Sequence, residues 1–266
     1  MTLRAAVKAR LARQGRLVLL SDLDGTLAPI VNRPRAVHLP PETRRLLIRL
    51  ARHPRVRVGI VSGRSLSDLK RLVGISAAAY AGCHGLEIAW RGLRFRHPQA
   101  AALLPLLTRV TRDLRRQTSR LRGVLVEPKG LTASLHYRLA SPALVPALES
   151  LLRQAIERAP GLQILRGRKV LELRPRIGWG KGEAVILMHD LLARSLGRRA
   201  PLTLYLGDDE TDEEAFRALR GRGISVAVGR RRTRAMFRLR DPVSAQTFLA
   251  WLTRMLPAGP RSQAVR

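Results

Sequence analysis

Cysteine is almost missing from this chain. Cys83 stands alone among 266 residues, so no intrachain disulfide can form, and a cytoplasmic setting is the simplest reading. No apolar run approaches the length of a membrane span. Residues 1–14 are basic but hold no long apolar region, which argues against a secretory signal. Aromatics are only 4% of the chain, few for stacking on bases. Lysine is scarce as well. Of 50 basic residues only Lys8, Lys70, Lys129, Lys169 and Lys181 are lysines, leaving 45 arginines against 19 acids and a net charge of +31. Such a balance suits neutralisation of nucleic-acid phosphates. Yet the arginines are spread over most of the chain, with no RNA-binding signature. A biased composition with solvated helix faces explains them, and any polyanion binding should be nonspecific and fade with salt. What the chain does have is 45% hydrophobic residues, enough for a sizeable core in one large or two modest domains.

Its most informative stretch is Ser21-Asp22-Leu23-Asp24-Gly25-Thr26-Leu27, directly after the apolar run Leu17-Val18-Leu19-Leu20. Where a strand ends and the chain turns, both carboxylates can face one crevice. Acids that close repel each other, so the site needs a proton or a cation. A carboxylate nucleophile beside a second carboxylate that donates and accepts a proton suits phosphoryl transfer through an aspartyl-phosphate. The alternative is a strand end whose acids only cap the next helix.

Three further segments lie beside apolar strands. Arg57–Val61 ends in Ser62-Gly63-Arg64, a hydroxyl and a glycine that open a helix and make an anion site. Gly180-Lys181-Gly182 brings a lysine to the start of a helix over about Glu183–Leu192. Leu202–Leu206 runs into Gly207-Asp208-Asp209-Glu210-Thr211-Asp212-Glu213-Glu214, six acids in seven residues. That density at a strand end is unfavourable without a cation, and a hard ion such as Mg²⁺ fits best. Glu210, Glu213 and Glu214 read more simply as an acidic helix N-terminus favoured by the macrodipole.

In this order, D-x-D-G-T-L, S-G-R, the lysine before a helix and G-D-D-x-T-D resemble the haloacid-dehalogenase-like (HAD) phosphatases. Gly82–Glu87, Val126–Lys129, His136–Arg138 and Gly167–Pro175 narrow the likeness, because they look like trehalose-6-phosphate phosphatases. The resemblance spans about Leu17 to Leu252.

The strand and helix rhythm agrees with an α/β fold. Strands alternating with helices imply a Rossmann-like parallel sheet covered on both faces, with reactive groups at the carboxyl ends of its strands. Between about Leu103 and Arg174 the rhythm changes to helix, strand, strand, helix, strand, strand. This predicts a catalytic core over 1–102 and 175–266 and an inserted α+β cap over 103–174. In Leu131–Arg138, alternation puts Thr132, Ser134, His136 and Arg138 on one face. In Arg168–Arg174 it puts Arg168, Val170, Glu172 and Arg174 together and sends Lys169 to the other side. A polar sheet face can simply meet solvent, or it can form a polar ceiling over the active site.

The resemblance implies roles for these residues. Asp22 would be the nucleophile, Asp24 the general acid and base, and Ser62 and Lys181 the groups that hold the phosphoryl oxygens. Asp22, Asp208 and the backbone carbonyl of Asp24 would hold Mg²⁺, while Asp209 and Asp212 order its water shell or position Lys181. Arg64, Glu127, Lys129, His136, Arg138, Arg168 and Glu172 would bind the substrate, with cap closure excluding bulk water. Arg168 stands where the family often has a lysine. It keeps the charge and offers a planar fork of donors, so the geometry of sugar contact changes. The implied reaction is Mg²⁺-dependent hydrolysis of trehalose 6-phosphate to trehalose and phosphate, with functional pairing to a trehalose-6-phosphate synthase as the partnership it allows. The nearest enzymatic alternative is a phosphatase of the same fold acting on sucrose phosphate or mannosylglycerate phosphate. The alternative of another class is a basic nucleic-acid-binding protein on a degenerate HAD fold, against which the full set of acids counts.

Overall fold

Apolar runs become buried strands here, and amphipathic segments become the helices that cover them. The computed structural model of the chain describes residues 1–31, 36–167 and 169–256. They separate into two compact units, Met1–Arg94 with the described residues from Trp179 onward, and Phe95–Gly178. The inserted unit is wider at both ends than the 103–174 expected from the rhythm of the sequence.

The first unit opens with helix α1 (Leu3–Gln14) and strand β1 (Leu17–Ser21). Helix α2 (Pro41–Arg52), strand β2 (Val56–Val61), helix α3 (Leu66–Val73) and strand β3 (Ala79–Gly82) follow. A hairpin of β4 (Glu87–Trp90) and β5 (Leu93–Arg96) leads out of it, turning at Arg91-Gly92, both at positive φ. The inserted unit holds α4 (Pro98–Ala102), α5 (Leu104–Thr118), β6 (Leu125–Pro128), β7 (Ala133–His136), α6 (Val145–Glu157), β8 (Leu162–Gly167) and β9 (Val170–Pro175). The chain then returns through α7 (Lys181–Arg194), β10 (Leu202–Gly207), α8 (Asp212–Ala218), β11 (Gly223–Val228), β12 (Phe237–Leu239) and α9 (Pro242–Met255).

The large sheet has the order β12-β11-β10-β1-β2-β3-β4-β5. It is parallel from β12 to β3, and β4 runs antiparallel to β3. Strand β1 is its centre, with Leu17, Val18, Leu19 and Leu20 all fully buried. Each such side chain contributes about 1.5–3 kcal/mol by leaving water. On one face Leu46, Leu47 and Leu50 of α2 join Phe248, Leu249 and Leu252 of α9 in a single buried cluster with the strands. On the other face α7 packs on β1 and β2 through Ala184, Val185, Met188 and Leu192, all buried. Ser21 pairs with Leu206 of β10 and with Ile60 of β2. The carboxyl ends of the three central strands are therefore level, and Asp22, Ser62 and Asp208 each follow one of them. This is the switch point of the sheet, where connections leave in opposite directions and a crevice opens.

The second unit is an antiparallel sheet, order β6-β7-β9-β8, with helices on one side. Leu107, Val110 and Leu114 of α5 and Leu148 and Leu152 of α6 recur at helical spacing and form one cluster with Val126, Ala133, Leu135, Leu171 and Leu173. Alternation puts Ser134 on the opposite face, and Ser134 is in register with both Glu127 and Glu172.

Candidate active site

Lys181 organises the first unit's acids. It is the first residue of α7, where a cation is disfavoured by the helix dipole, and it is 1% exposed. Three carboxylates outweigh both costs. Its Nζ donates to Asp22 Oδ1 at 2.9 Å and to Asp212 Oδ1 at 2.8 Å, and Asp209 Oδ1 lies 3.7 Å away. Burial alone would lower the Lys181 pKa, but Asp209, Asp212 and Asp22 raise it well above its ordinary value. The ammonium therefore stays charged.

Asp212 is fully buried, and every lone pair it can offer is engaged. Its Oδ1 also accepts the Tyr205 hydroxyl at 2.6 Å, while Oδ2 accepts the backbone N–H groups of Asp208 and Asp209 at 2.9 and 3.0 Å. Asp212 thus fixes Lys181 and the turn after β10 together. The turn needs Gly207, because a Cβ there would collide with the Asp212 carboxylate. Asp209 Oδ1 accepts from the Thr211 amide and hydroxyl at 2.9 and 2.7 Å. Burial works against its charged form, yet Lys181 and these bonds hold its pKa below the usual carboxylate range.

Asp22 and Asp208 behave differently. Burial pushes the Asp22 carboxyl well above the ordinary range; Lys181 opposes this, and Asp212, Asp208 and Asp209 add to it. Asp208 is pushed up to about 7, by burial first and then by Asp212 and Asp209. Thr26 donates to Asp208 Oδ1 at 3.2 Å. Gly25, at φ +87°, lets the two strand ends approach, since a Cβ there would strike the Asp208 carboxylate.

Oxygens of Asp22, Asp208 and Asp212 lie within 4.8 Å of one another. With Asp212 spent on its four donors, Asp22 and Asp208 are the side chains suited to a cation. An all-oxygen donor set with unrelieved charge suits a hard divalent ion. Asp24 can join such a site only through its carbonyl, because its carboxylate is gripped by Arg64. Arg64 Nε and Nη2 each reach Asp24 at 2.7 Å, and Nη1 reaches Asp68 at 2.7 Å. Arg64, expected to meet the substrate, is thus engaged with Asp24 and Asp68. Ser62 is buried just past β2, and its Oγ accepts the Arg64 amide at 3.2 Å.

In the second unit, Glu127, Ser134, His136 and Glu172 share the face opposite the helices, as alternation predicts. His136 Nε2 and Glu127 Oε2 are 2.8 Å apart, and Glu172 is buried. Lys129 and Arg138 lie just beyond the ends of β6 and β7. Lys169 is not on a strand face as alternation suggested; it sits in the β8–β9 turn at φ +63°. Arg168 lies outside the described residues.

Sequence reasoning missed Tyr205, Thr26 and Glu214. Tyr205 is fully buried mid-strand, and its one signal is a phenol in a mostly aliphatic run. Glu214, taken as a helix-dipole acid, accepts the Lys181 amide at 3.1 Å and so also holds the start of α7.

The sequence and the fold have parallels among known proteins. The family described as trehalose-phosphatase matches residues 20–243. A trehalose-phosphate phosphatase of Mycobacterium tuberculosis is 37% identical over 245 residues, 90% of this chain and 62% of that one; the chain thus spans under two thirds of that relative's length. A trehalose-6-phosphate phosphatase related protein superposes with a TM-score of 0.79 at 25% identity, covering 90% of this chain and 97% of the other. A haloacid dehalogenase-like hydrolase from Bacteroides thetaiotaomicron shares the fold, with a TM-score of 0.61 at 15% identity over 89% of this chain and 99% of that one. The α/β core and its insertion therefore share the HAD-like fold, and the chain belongs to the trehalose-phosphatase family.

Proposed function

We propose that the protein is a Mg²⁺-dependent phosphatase that hydrolyses trehalose 6-phosphate to trehalose and phosphate. The observation that carries the reading is the buried Lys181 bridging Asp22 and Asp212, which leaves Asp22 at a strand end with a neutralised Oδ1. Asp22 attacks phosphorus in line, an O–P bond forms, and the bond from phosphorus to the sugar oxygen breaks. Asp24 gives its proton to the departing oxygen, and later takes one from the water that cleaves the aspartyl-phosphate. Arg64, forked on both oxygens of Asp24, fixes the orientation of that carboxyl group. Ser62 and Lys181 donate to the phosphoryl oxygens, whose charge needs preorganised partners as the bond breaks. Held by Asp22, Asp208 and the Asp24 carbonyl, Mg²⁺ would supply charge neutralisation for the transferring group.

The polar face of the second unit takes sugar hydroxyls, with Glu127 and Glu172 as the main acceptors and His136, Lys129, Arg138 and Arg168 as further contacts. The name of the mycobacterial relative supports trehalose 6-phosphate as the sugar phosphate. A cytoplasmic setting accords with the single buried cysteine, and no helix among the described residues is long and apolar enough to cross a membrane.

Phosphate release from trehalose 6-phosphate, sucrose phosphate and mannosylglycerate phosphate, with Mg²⁺ and with chelator, tests the reading. Trehalose 6-phosphate should be preferred, chelation should stop turnover, and Mg²⁺ should restore it better than Ca²⁺, whose larger shell spoils in-line geometry. Full activity in excess chelator overturns the metal's role, and preference for another sugar overturns the substrate.

A further inference from the structure

The first unit has a second concavity, at the end of the sheet opposite Asp22. A cavity of about 430 Å³ opens where the chain enters β3 and where the β4–β5 hairpin turns. That volume falls in the range of small-molecule sites. Tyr80, Trp90 and Leu93 form its apolar wall, and Lys70, Arg91 and Arg94 supply its charge. No acidic residue lines it among the described residues. The Arg91 guanidinium carbon stands 5.0 Å from the centre of the Trp90 ring, held by a turn with Arg91 and Gly92 at positive φ. The local field is uncompensated enough to reach Arg57, whose pKa is lowered by burial first and by Arg91 second.

Trp90 adds an independent observation. It is 9% exposed, and its indole Nε1 is buried with no hydrogen-bond acceptor. A buried donor without a partner is disfavoured, and native structures rarely keep one without a reason. The charged side chains that line the cavity are all donors, and the ring that carries this unpartnered N–H is part of its wall. Tyr80 is not that acceptor, because its hydroxyl is engaged with the backbone of Ile75 at 2.8 and 2.9 Å.

We propose that this cavity binds a small organic phosphate, its dianion among Lys70, Arg91 and Arg94 and its body against the Trp90 ring. Three cations without an acid suit a dianion better than a carboxylate. Leu93, 43% exposed, supplies apolar surface that inorganic phosphate would not use. A local concavity, rather than a basic stripe, favours a small ligand over a polyanion.

The test follows the Trp90 indole N–H in ¹⁵N-labelled full-length protein, assigned with Trp90→Phe. Indoles 179 and 251 separate this event from binding elsewhere. The probes are phenylphosphonate, which cannot be hydrolysed at an ester bond, with benzoate and inorganic phosphate as comparisons. Phenylphosphonate should shift the Trp90 resonance saturably, and more tightly than either comparison. Arg91→Glu/Arg94→Glu should weaken it at least about tenfold, while Arg115→Glu/Arg116→Glu, on exposed α5 positions, should not. Aryl phosphatase activity of the first double variant should stay at the wild-type level, which also reports that it is folded; Lys70→Glu serves as a second variant. A shift that fails to saturate, that survives Arg91→Glu/Arg94→Glu and Lys70→Glu, or that weakens equally in the α5 variant overturns the proposal.

Discussion

Replacing Asp208 by asparagine should make the metal-free protein more stable while removing its function. Asparagine is isosteric and keeps an acceptor for the Thr26 hydroxyl, 3.2 Å from Oδ1 in the wild type. What it removes is a charge that the fold disfavours. Burial, then Asp212 and Asp209, push the Asp208 pKa from 3.8 to about 7. A folded-state pKa above the unfolded value contributes stability below the unfolded pKa, and that stability is lost as pH rises through the folded one. Above pH 7 the folded state therefore carries the full cost of ionised Asp208. A rise of that size corresponds to about 4 kcal/mol at most, and partial exposure to solvent screens it to about 2 kcal/mol.

Urea unfolding in chelator should find Asp208→Asn near wild type at pH 4 and about 2 kcal/mol more stable at pH 8. Saturating Mg²⁺ should reverse the order at pH 8. The wild type gains the binding free energy of the ion, whereas the variant has lost one of two side-chain donors. Turnover should drop about a hundredfold or more, the scale of losing a metal's charge stabilisation. A variant that is less stable than wild type in chelator at pH 8 refutes the electrostatic reasoning. Equal stabilisation of both proteins by Mg²⁺ refutes the assignment of Asp208 to the ion.

Asp22→Asn should abolish phosphate release without unfolding the protein, since the amide cannot attack phosphorus; a tenth or more of wild-type turnover, roughly 1.4 kcal/mol, would sink the covalent route. Lys181→Met should cost about 3–5 kcal/mol in urea unfolding at pH 8, because it strands Asp22 and Asp212 as buried charges, and a loss below 1 kcal/mol on that same scale would mean water replaces the ammonium. Glu127→Ala or Glu172→Ala should lower kcat/KM for trehalose 6-phosphate by about 2 kcal/mol, the scale of hydrogen bonds to charged groups, and leave aryl phosphate hydrolysis nearly unchanged. Equal losses on both substrates would assign these glutamates to folding instead.

Much of the core was legible because its signals are local. The aliphatic run Leu17–Leu20 and the acids after it read as a strand meeting a crevice, and β1 sits at the centre of the sheet with Asp22 at its end. In α2, Leu46, Leu47 and Leu50 recur at helical spacing, and all three are buried. Helix α1 escaped notice because its basic residues break any apolar stripe; only Ala6, Val7 and Leu11 are buried. Strand β12 has three residues, two of them beside arginines, and its existence depends on pairing with β11.

The site shows where local reading ends. Six acids after β10 announce a strained strand end, but they do not say which of them are used to relieve it. That division is made by α7. Its first residue, Lys181, enters from 31 positions upstream of Asp212, and its packing on β1 and β2 decides how deep the ammonium lies. Once Asp212 is committed to Lys181, Tyr205 and two backbone amides, Asp208 is left with its charge poorly compensated. Arg64 follows the same logic from the other side. The resemblance implies a substrate contact for it, α3 places Asp68 four residues on, and the close of β1 brings Asp24 within 2.7 Å. The residue types at the site were visible in the chain, whereas their allegiances were settled by which strand ends came level.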